Sequence, residues 1–187
     1  MAFDSVKKIA AEFALDRAIN YITKDPEKNL LTLMDFIEKV AIAPDHKEAV
    51  KKLKAHFKNN PQIMEQTRRI ASNPKMLYNL LNSWVINGTF LGRPKREKLG
   101  KELGFNIPAL ILIDPTSACN LRCQGCWAGE YSKADRLEPE LFSRIISEAK
   151  ELGIHWIVLS GGEPFCYPHL LDVVADHPES VFMVYTN

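Results

Sequence analysis

Residues 108–131 read PALILIDPTSACNLRCQGCWAGEY, so an apolar run leads directly into a segment rich in cysteine. The run PALILID has the continuous β character of a strand buried in a parallel sheet. Three of the chain's four cysteines follow within eight positions, spaced C-x₃-C-x₂-C: Cys119, Cys123 and Cys126. A loop after a parallel strand lies at the carboxyl edge of the sheet, where active sites of α/β proteins form. The pattern therefore predicts a strand that carries a functional loop.

The sequence after the cysteines alternates between helical and strand patterns. Residues 137–152 are amphipathic at helical spacing, and residues 155–160 (HWIVLS) form a second apolar run that GGEP follows directly. A short helix over 168–175 and a third strand over 181–186 continue the series. This order predicts an α/β fold with about three parallel strands joined by right-handed crossovers.

Three closely spaced cysteines leave one position open on the metal group that they hold. A structural zinc site normally takes four protein ligands, and a cubane of four irons takes one ligand per iron. An open position is what chemistry at a metal requires. The spacing thus favours a reactive metal centre over a closed structural one.

A closed zinc site remains as an alternative. Cys166 could complete it, but this residue lies forty positions after the third cysteine and lacks a second C-x₂-C half. We expect Cys166 to be a small buried thiol. Three other candidates for a fourth ligand are expected to be structural or exposed to solvent: His155, His169 and His177.

The cysteine loop and the GGEP turn together resemble the radical S-adenosylmethionine (radical SAM) superfamily. In that family C-x₃-C-x₂-C follows a first strand, and a helix, a second strand and GGEP come next. The resemblance covers about residues 108–187. It implies that Cys119, Cys123 and Cys126 ligate three irons of a 4Fe-4S cluster, whose fourth iron chelates S-adenosylmethionine (SAM).

The GGEP turn receives a cofactor-binding role from the same resemblance. Gly161, Gly162 and Glu163 would meet the methionine amino group through backbone carbonyls and the carboxylate. Glycines let a ligand approach the backbone, and a carboxylate complements an ammonium group. A simple turn after a strand is the alternative, since glycine and proline punctuate loops.

The activity that the resemblance implies is reductive cleavage of SAM to a 5′-deoxyadenosyl radical, which then abstracts a hydrogen atom from a substrate. The implied partners are that substrate, whose identity is unknown, and a low-potential electron donor such as flavodoxin or ferredoxin. Many family members have an aromatic residue before the third cysteine, where it helps to seat adenine. Here that position is Gly125, and Trp127 or Tyr131 would have to substitute, unless both pack within the loop.

Residues 1–90 are predicted to form an all-helical domain of about five short helices. Three predicted helix starts pair a capping side chain with proline: Asp25-Pro26, Asn60-Pro61 and Asn73-Pro74. Apolar residues recur at helical spacing, and two such stripes are Phe3, Val6, Ile9, Ala10 and Phe13, then Leu77, Leu80, Leu81, Trp84 and Val85.

Residues 91–107 are predicted to be a linker to an α/β domain over residues 108–187, with a short helix over 95–103. The segment is rich in glycine, proline and basic residues. Its cations are expected to lie on a solvated surface rather than at a phosphate or acidic substrate: Arg93, Lys95, Arg96 and Lys98.

The composition is that of a soluble globular protein. The 187-residue chain is 46% hydrophobic and 25% charged with a net charge of +1, which gives no indication of nucleic-acid or anionic-membrane binding. Neither a signal peptide nor a span of about 18 apolar residues is evident. We therefore expect a cytoplasmic protein, in which clustered cysteines bind metal rather than form disulfides.

Relatives in the radical SAM superfamily have further βα units after the third strand. We therefore expect this chain to be a fragment or one piece of a larger assembly, and to turn over SAM poorly by itself. Two alternative functions stay open. One is a non-catalytic zinc protein, and the other is a helical domain whose main role is to dock a partner.

Overall fold

The computed structural model describes residues 2–40, 44–128, 132 and 134–187, and of these the side chains of residues 2–8, 40 and 44–46 are left aside. The chain divides into two compact units, Met1–Tyr78 and Asn79–Asn187. The domain boundaries expected near residues 90 and 107 remain a proposal. No described helix is long and apolar enough to cross a membrane.

The first unit is helical. Its helices are α1 (Ala2–Ile22), α2 (Pro26–Val40), α3 (Pro44–Asn59), α4 (Pro61–Ala71) and the first part of α5 (Pro74–Leu81). The predicted caps are present, because side-chain oxygens of Asp25, Asn60 and Asn73 accept backbone N–H groups two or three residues along at 3.0 to 3.3 Å. The sequence therefore marks these three helix starts correctly.

The apolar stripe predicted for α1 is wrong. Ile9 and Phe13 are 66% and 63% exposed, whereas Leu15, Ile19 and Ile22 are buried. This helix carries apolar residues on nearly every face, so spacing alone does not select the face that packs.

The second unit contains the α/β fold that the sequence predicts. After α5 come a π-helix (Asn82–Leu91), α6 (Gly92–Leu103), β1 (Leu110–Ile113), α7 (Pro139–Glu151), β2 (Trp156–Leu159), a 3₁₀ turn (Pro164–Cys166), α8 (Leu170–Ala175) and β3 (Val181–Val184). The three strands form a parallel sheet in the order β1-β2-β3. All of them end at one carboxyl edge.

The sheet is covered on one face by helices. Alternate strand residues on this face, among them Ile113, Ile157 and Leu159, pack in one core with Phe142 and Ile146 of α7. On the opposite face, Leu112 of β1 and Met183 of β3 are exposed, whereas Val158 of the central strand between them is buried. This alternation follows from the two-residue period of a strand.

The segment expected to be a linker is largely helical. The π-helix and α6 are continuous over 82–103, and the helix predicted over 95–103 lies within α6. The stripe predicted to run through Trp84 and Val85 is wrong, because both are exposed while Ser83, Ile86 and Asn87 are buried. A π-helix changes the phase of its side chains relative to an α-helix, which explains the shift.

Close packing holds α6 against the turn before β2. A Cβ atom added at Gly92 would lie 2.5 Å from the carbonyl oxygen of Gly153. The Arg96 guanidinium donates to that same oxygen and to Gly88 O. Arg93, by contrast, forms an ion pair with Glu97 at 2.7 Å on the surface, as expected of a solvated basic segment.

Candidate functional site

The cysteine loop leaves β1 at the carboxyl edge and returns beside it. Ser117 N–H donates to Asp135 O at 2.9 Å, and Leu137 N–H donates to Pro115 O at 2.9 Å. Thr116 also forms an antiparallel bridge with Arg136. These bonds hold the two ends of the loop next to each other, and the cysteines lie in the segment between them.

The three motif thiols are free and accessible. Cys119 is half-buried, and Cys123 and Cys126 are exposed. Leu121 N–H donates to the Cys119 sulfur at 3.4 Å. Cys126 N–H donates to Cys123 O at 3.3 Å across a turn in which Gly125 has a φ of +73°, a conformation that favours glycine.

A site for a single metal ion does not occur among the described residues. No three His, Cys, Asp or Glu side chains in that part of the chain are grouped closely enough to hold one ion. In that part of the chain the loop cysteines form no such group, either by themselves or with Cys166. Cys166 itself lies in the 3₁₀ turn and is half-buried, whereas the sequence predicted a buried thiol.

The three histidines considered as fourth ligands make contacts away from the cysteines. His155 pairs with Glu179 O at 3.0 Å and His177 pairs with Ser143 Oγ at 2.9 Å. Burial lowers the pKa of both imidazoles. His169 lies 3.9 Å from Asp172.

The GGEP turn pairs directly with the backbone of the cysteine loop. Gly162 N–H donates to Thr116 O at 3.0 Å, and Glu163 N–H donates to Ala118 O at 2.8 Å. A Cβ atom added at Gly162 would lie 2.1 Å from Ala118 O. Gly161 has a φ of +102°. The glycines are therefore needed for close approach of two protein segments, a reason that the sequence did not reveal.

Glu163 is buried, with 4% of its surface exposed. Its carboxylate accepts hydrogen bonds from Phe165 N–H at 3.0 Å, Thr186 Oγ1 at 2.8 Å, Asn187 N–H at 3.0 Å and Asn187 Nδ2 at 2.6 Å. Burial raises the pKa of Glu163, but these hydrogen bonds outweigh it and hold the pKa below its usual value. Glu163 is thus a charged group that ties the turn to the end of β3.

A cavity of about 290 Å³ lies beside the two glycines. Gly161, Gly162 and Trp127 line it together with Asp114 and Arg136. The Trp127 side chain is 61% exposed. Burial raises the pKa of Asp114, because water is partly excluded from its carboxylate.

The cavity unites three of the four predicted cofactor residues. Glu163 faces the end of β3 instead, and Tyr131 lies outside the described residues. Asp114 was missed by sequence reasoning, although an acidic residue at the end of a parallel strand is a signal that could have indicated it.

Comparison with known proteins identifies the fold. Residues 113–179, from the last residue of β1 to two residues before β3, match the family model of the Radical SAM superfamily. This part of the chain belongs to the radical SAM superfamily. The matched radical SAM segment contains the cysteine loop and the GGEP turn, so both predicted motifs lie inside it.

Three curated radical SAM relatives align over this segment. A probable GTP 3′,8-cyclase of Archaeoglobus fulgidus is 35% identical over 37% of this chain and 24% of its own length. A PqqA peptide cyclase of Bradyrhizobium diazoefficiens is 33% identical over 44% of this chain and 22% of its own. An AdoMet-dependent heme synthase of Methanosarcina barkeri is 33% identical over 36% of this chain and 20% of its own. The aligned region thus spans less than a quarter of each relative, and no solved structure matches significantly.

Proposed function

We propose that this chain binds a 4Fe-4S cluster and SAM and forms a 5′-deoxyadenosyl radical from SAM. The observation that supports this most directly is the backbone pairing of the GGEP turn with the cysteine loop. Glu163 N–H donates to Ala118 O at 2.8 Å, one residue before Cys119. The start of the loop with the proposed cluster ligands is therefore hydrogen-bonded to the proposed SAM turn within the radical SAM segment.

Cys119, Cys123 and Cys126 are the proposed cluster ligands. Their chemistry fits, because thiolates are the ligands of iron–sulfur clusters. Their accessibility fits as well, since two are exposed and one is half-buried. The N–H of Leu121, 3.4 Å from the Cys119 sulfur, is a hydrogen bond of the kind that tunes such clusters. Three ligands for four irons keep one coordination position for SAM.

The 290 Å³ cavity is the proposed site for part of SAM. Trp127 offers an aromatic face on which adenine can stack. Asp114 offers a carboxylate to a sulfonium or ammonium cation, and such a cation would lower the pKa that burial now raises. Glu163 can accept the ammonium only by exchanging one of its present donors.

When bound and reduced, the cluster would supply the single electron that cleaves a carbon–sulfur bond of SAM. The chain's residues would bind and orient SAM beside the open position. The hydrogen bonds at the two ends of the cysteine loop would hold these residues in place. The electron would come from a low-potential donor such as flavodoxin or ferredoxin. The names of the three relatives refer to a nucleotide, a peptide and a heme, so no substrate follows from them.

Anaerobic reconstitution with iron and sulfide tests the proposal. We expect a brown protein with about four irons per chain, with visible absorbance that dithionite bleaches. Equilibrium dialysis should then show SAM binding to the reconstituted chain. A colourless protein that holds one zinc ion per chain and no iron would overturn the proposal.

A further inference from the structure

The Glu163 carboxylate has no acceptor position left for another donor. Two carboxylate oxygens offer about four lone-pair positions. Phe165 N–H and Thr186 Oγ1 occupy Oε1, and the backbone N–H and side-chain Nδ2 of Asn187 occupy Oε2. The closest of these contacts is Asn187 Nδ2, at 2.6 Å.

The carboxylate also fixes the orientation of the Asn187 amide. A carboxylate can only accept hydrogen bonds, so the amide atom that faces Glu163 must be the Nδ2 donor. The second hydrogen of Nδ2 reaches Asn120 Oδ1 at 2.9 Å, and Asn120 Nδ2 lies 3.4 Å from Asn187 Oδ1 in return. Asn120 and Asn187 thus form a reciprocal amide pair with one chemically consistent orientation.

Asn120 connects this pair to the first cluster ligand. It lies between Cys119 and Leu121, whose N–H donates to the Cys119 sulfur. A continuous chain of contacts therefore runs from Glu163 through Asn187 and Asn120 to the turn that presents Cys119. This series of side-chain contacts is separate from the hydrogen bond between Glu163 N–H and Ala118 O. It links the cysteine loop to the residues at the end of β3.

We propose that Asn120 and Asn187 are positioning residues that set Cys119 relative to Glu163. The inference rests on the proposed function, because Cys119 must be a cluster ligand for the position of its sulfur to matter. Neither asparagine lines the cavity beside the glycines. They orient Cys119 at one end of the contacts and Glu163 at the other, as outer residues orient the ligands of a metal site.

Four variants of the full reconstituted chain test this inference: Asn120→Ala, Asn187→Ala, the double variant and Asn187→Asp. We expect each single alanine variant to release iron to a chelator about tenfold faster than wild type, the scale seen when such outer partners are lost. The double variant should be no faster than either single one, because both changes break the same link. The reduced cluster's electron paramagnetic resonance spectrum should also change in Asn120→Ala.

Asn187→Asp separates a hydrogen-bonding role from simple filling of space. The variant keeps the shape of asparagine but turns a carboxylate oxygen toward Glu163, so we expect faster iron release than in Asn187→Ala. A role in packing alone predicts the opposite order. Asn106→Ala, at an exposed asparagine outside the network, is the matched control and should release iron like wild type. Circular dichroism of each apo variant establishes that it is folded.

The outcomes separate the inference from the function on which it rests. Wild-type release rates in the single variants, or single effects that multiply in the double variant, would overturn the positioning role and leave cluster binding intact. A wild-type chain that takes up no 4Fe-4S cluster would overturn both.

Discussion

At the scale of single residues, Glu163 combines deep burial with a lowered pKa. Burial alone would favour the protonated acid, but four donors favour the carboxylate more. A carboxyl group whose pKa is lower in the folded chain stabilises the fold above its unfolded pKa. This contribution is lost as the pH falls through the folded pKa. Stability near Glu163 should therefore fall in acid.

Replacement of this carboxylate tests the predicted loss of stability in acid. Glu163→Gln should lower the free energy of unfolding by about 1.5 to 3 kcal/mol at neutral pH, since hydrogen bonds to a charged group are lost. The gap between wild type and variant should shrink as the pH falls below the usual glutamate pKa of 4.5, where the wild-type carboxylate gradually loses its charge. Urea unfolding of both proteins at neutral pH and at a pH below 4.5 measures this difference. A difference that is independent of pH would contradict the prediction.

Gly162 has a steric role at the same scale. A Cβ atom would meet Ala118 O at 2.1 Å, so Gly162→Ala should force the GGEP turn away from the cysteine loop. We expect a loss of about 2 to 3 kcal/mol in the free energy of unfolding. Gly104→Ala is the control, because Gly104 has a φ of +79° and open space, which leaves only backbone strain of about 1 kcal/mol. Equal losses in the two variants would contradict the steric account.

Asp114 is one of the charged residues that line the proposed SAM cavity, together with Asp135 and Arg136. Asp114→Asn should weaken SAM binding to the reconstituted chain about fivefold, equivalent to about 1 kcal/mol for a partly solvated charge pair. S-adenosylhomocysteine lacks the S-methyl group and with it the sulfonium charge, but it is otherwise the same molecule, so its affinity should change less. Isothermal titration calorimetry with both ligands measures the difference. An equal loss for the two ligands would show that Asp114 does not act on the sulfonium charge.

Local motifs were predictable at this scale, and the contacts between them were not. The cysteine spacing and GGEP are short patterns with their own chemistry, so the sequence displays them directly. Asn120 and Asn187 are 67 positions apart, and their pairing depends on the folded sheet. No pattern in one sequence marks such a pair.

At the scale of elements, strands and amphipathic helices were predicted within a few residues. The predicted strand over 155–160 is observed as Trp156–Leu159, and the helix over 137–152 as Pro139–Glu151. The π-helix was not predicted, because its hydrogen bonds shift the side-chain phase that helical spacing assumes. Glycine and proline over 91–107 suggested a linker, whereas Gly92 serves close packing on Gly153.

The helical segment before β1 should be part of the cooperative fold. Arg96 donates to carbonyl oxygens of the π-helix and of the turn before β2. Arg96→Ala should therefore lower the free energy of unfolding by about 1.5 to 3 kcal/mol, as for hydrogen bonds from a charged donor. Lys98→Ala, at an exposed residue of the same helix, should change it by less than about 0.5 kcal/mol. Chemical unfolding compares them, and equal small effects would mean that α6 is only loosely attached.

At the scale of the whole molecule, the radical SAM segment is one part of a chain with two compact units. The helical unit carries no motif that links it to a ligand, and a docking role for it remains a prediction. Fold class followed from the sequence because strand and helix patterns alternate over 108–187. Packing in the first unit did not follow, because the apolar residues of α1 surround the helix.

The central claim is that three cysteines hold a cluster whose remaining iron binds SAM. Its most direct test is the electron paramagnetic resonance spectrum of the dithionite-reduced, reconstituted chain, recorded with and without SAM. Alanine variants at Cys119, Cys123, Cys126 and Cys166 belong in the same series. We predict that SAM shifts the wild-type spectrum, that each of the three loop variants loses the 4Fe-4S signal, and that Cys166→Ala keeps both the signal and the shift. A spectrum unaffected by SAM, together with equal loss of iron in Cys166→Ala, would contradict the account.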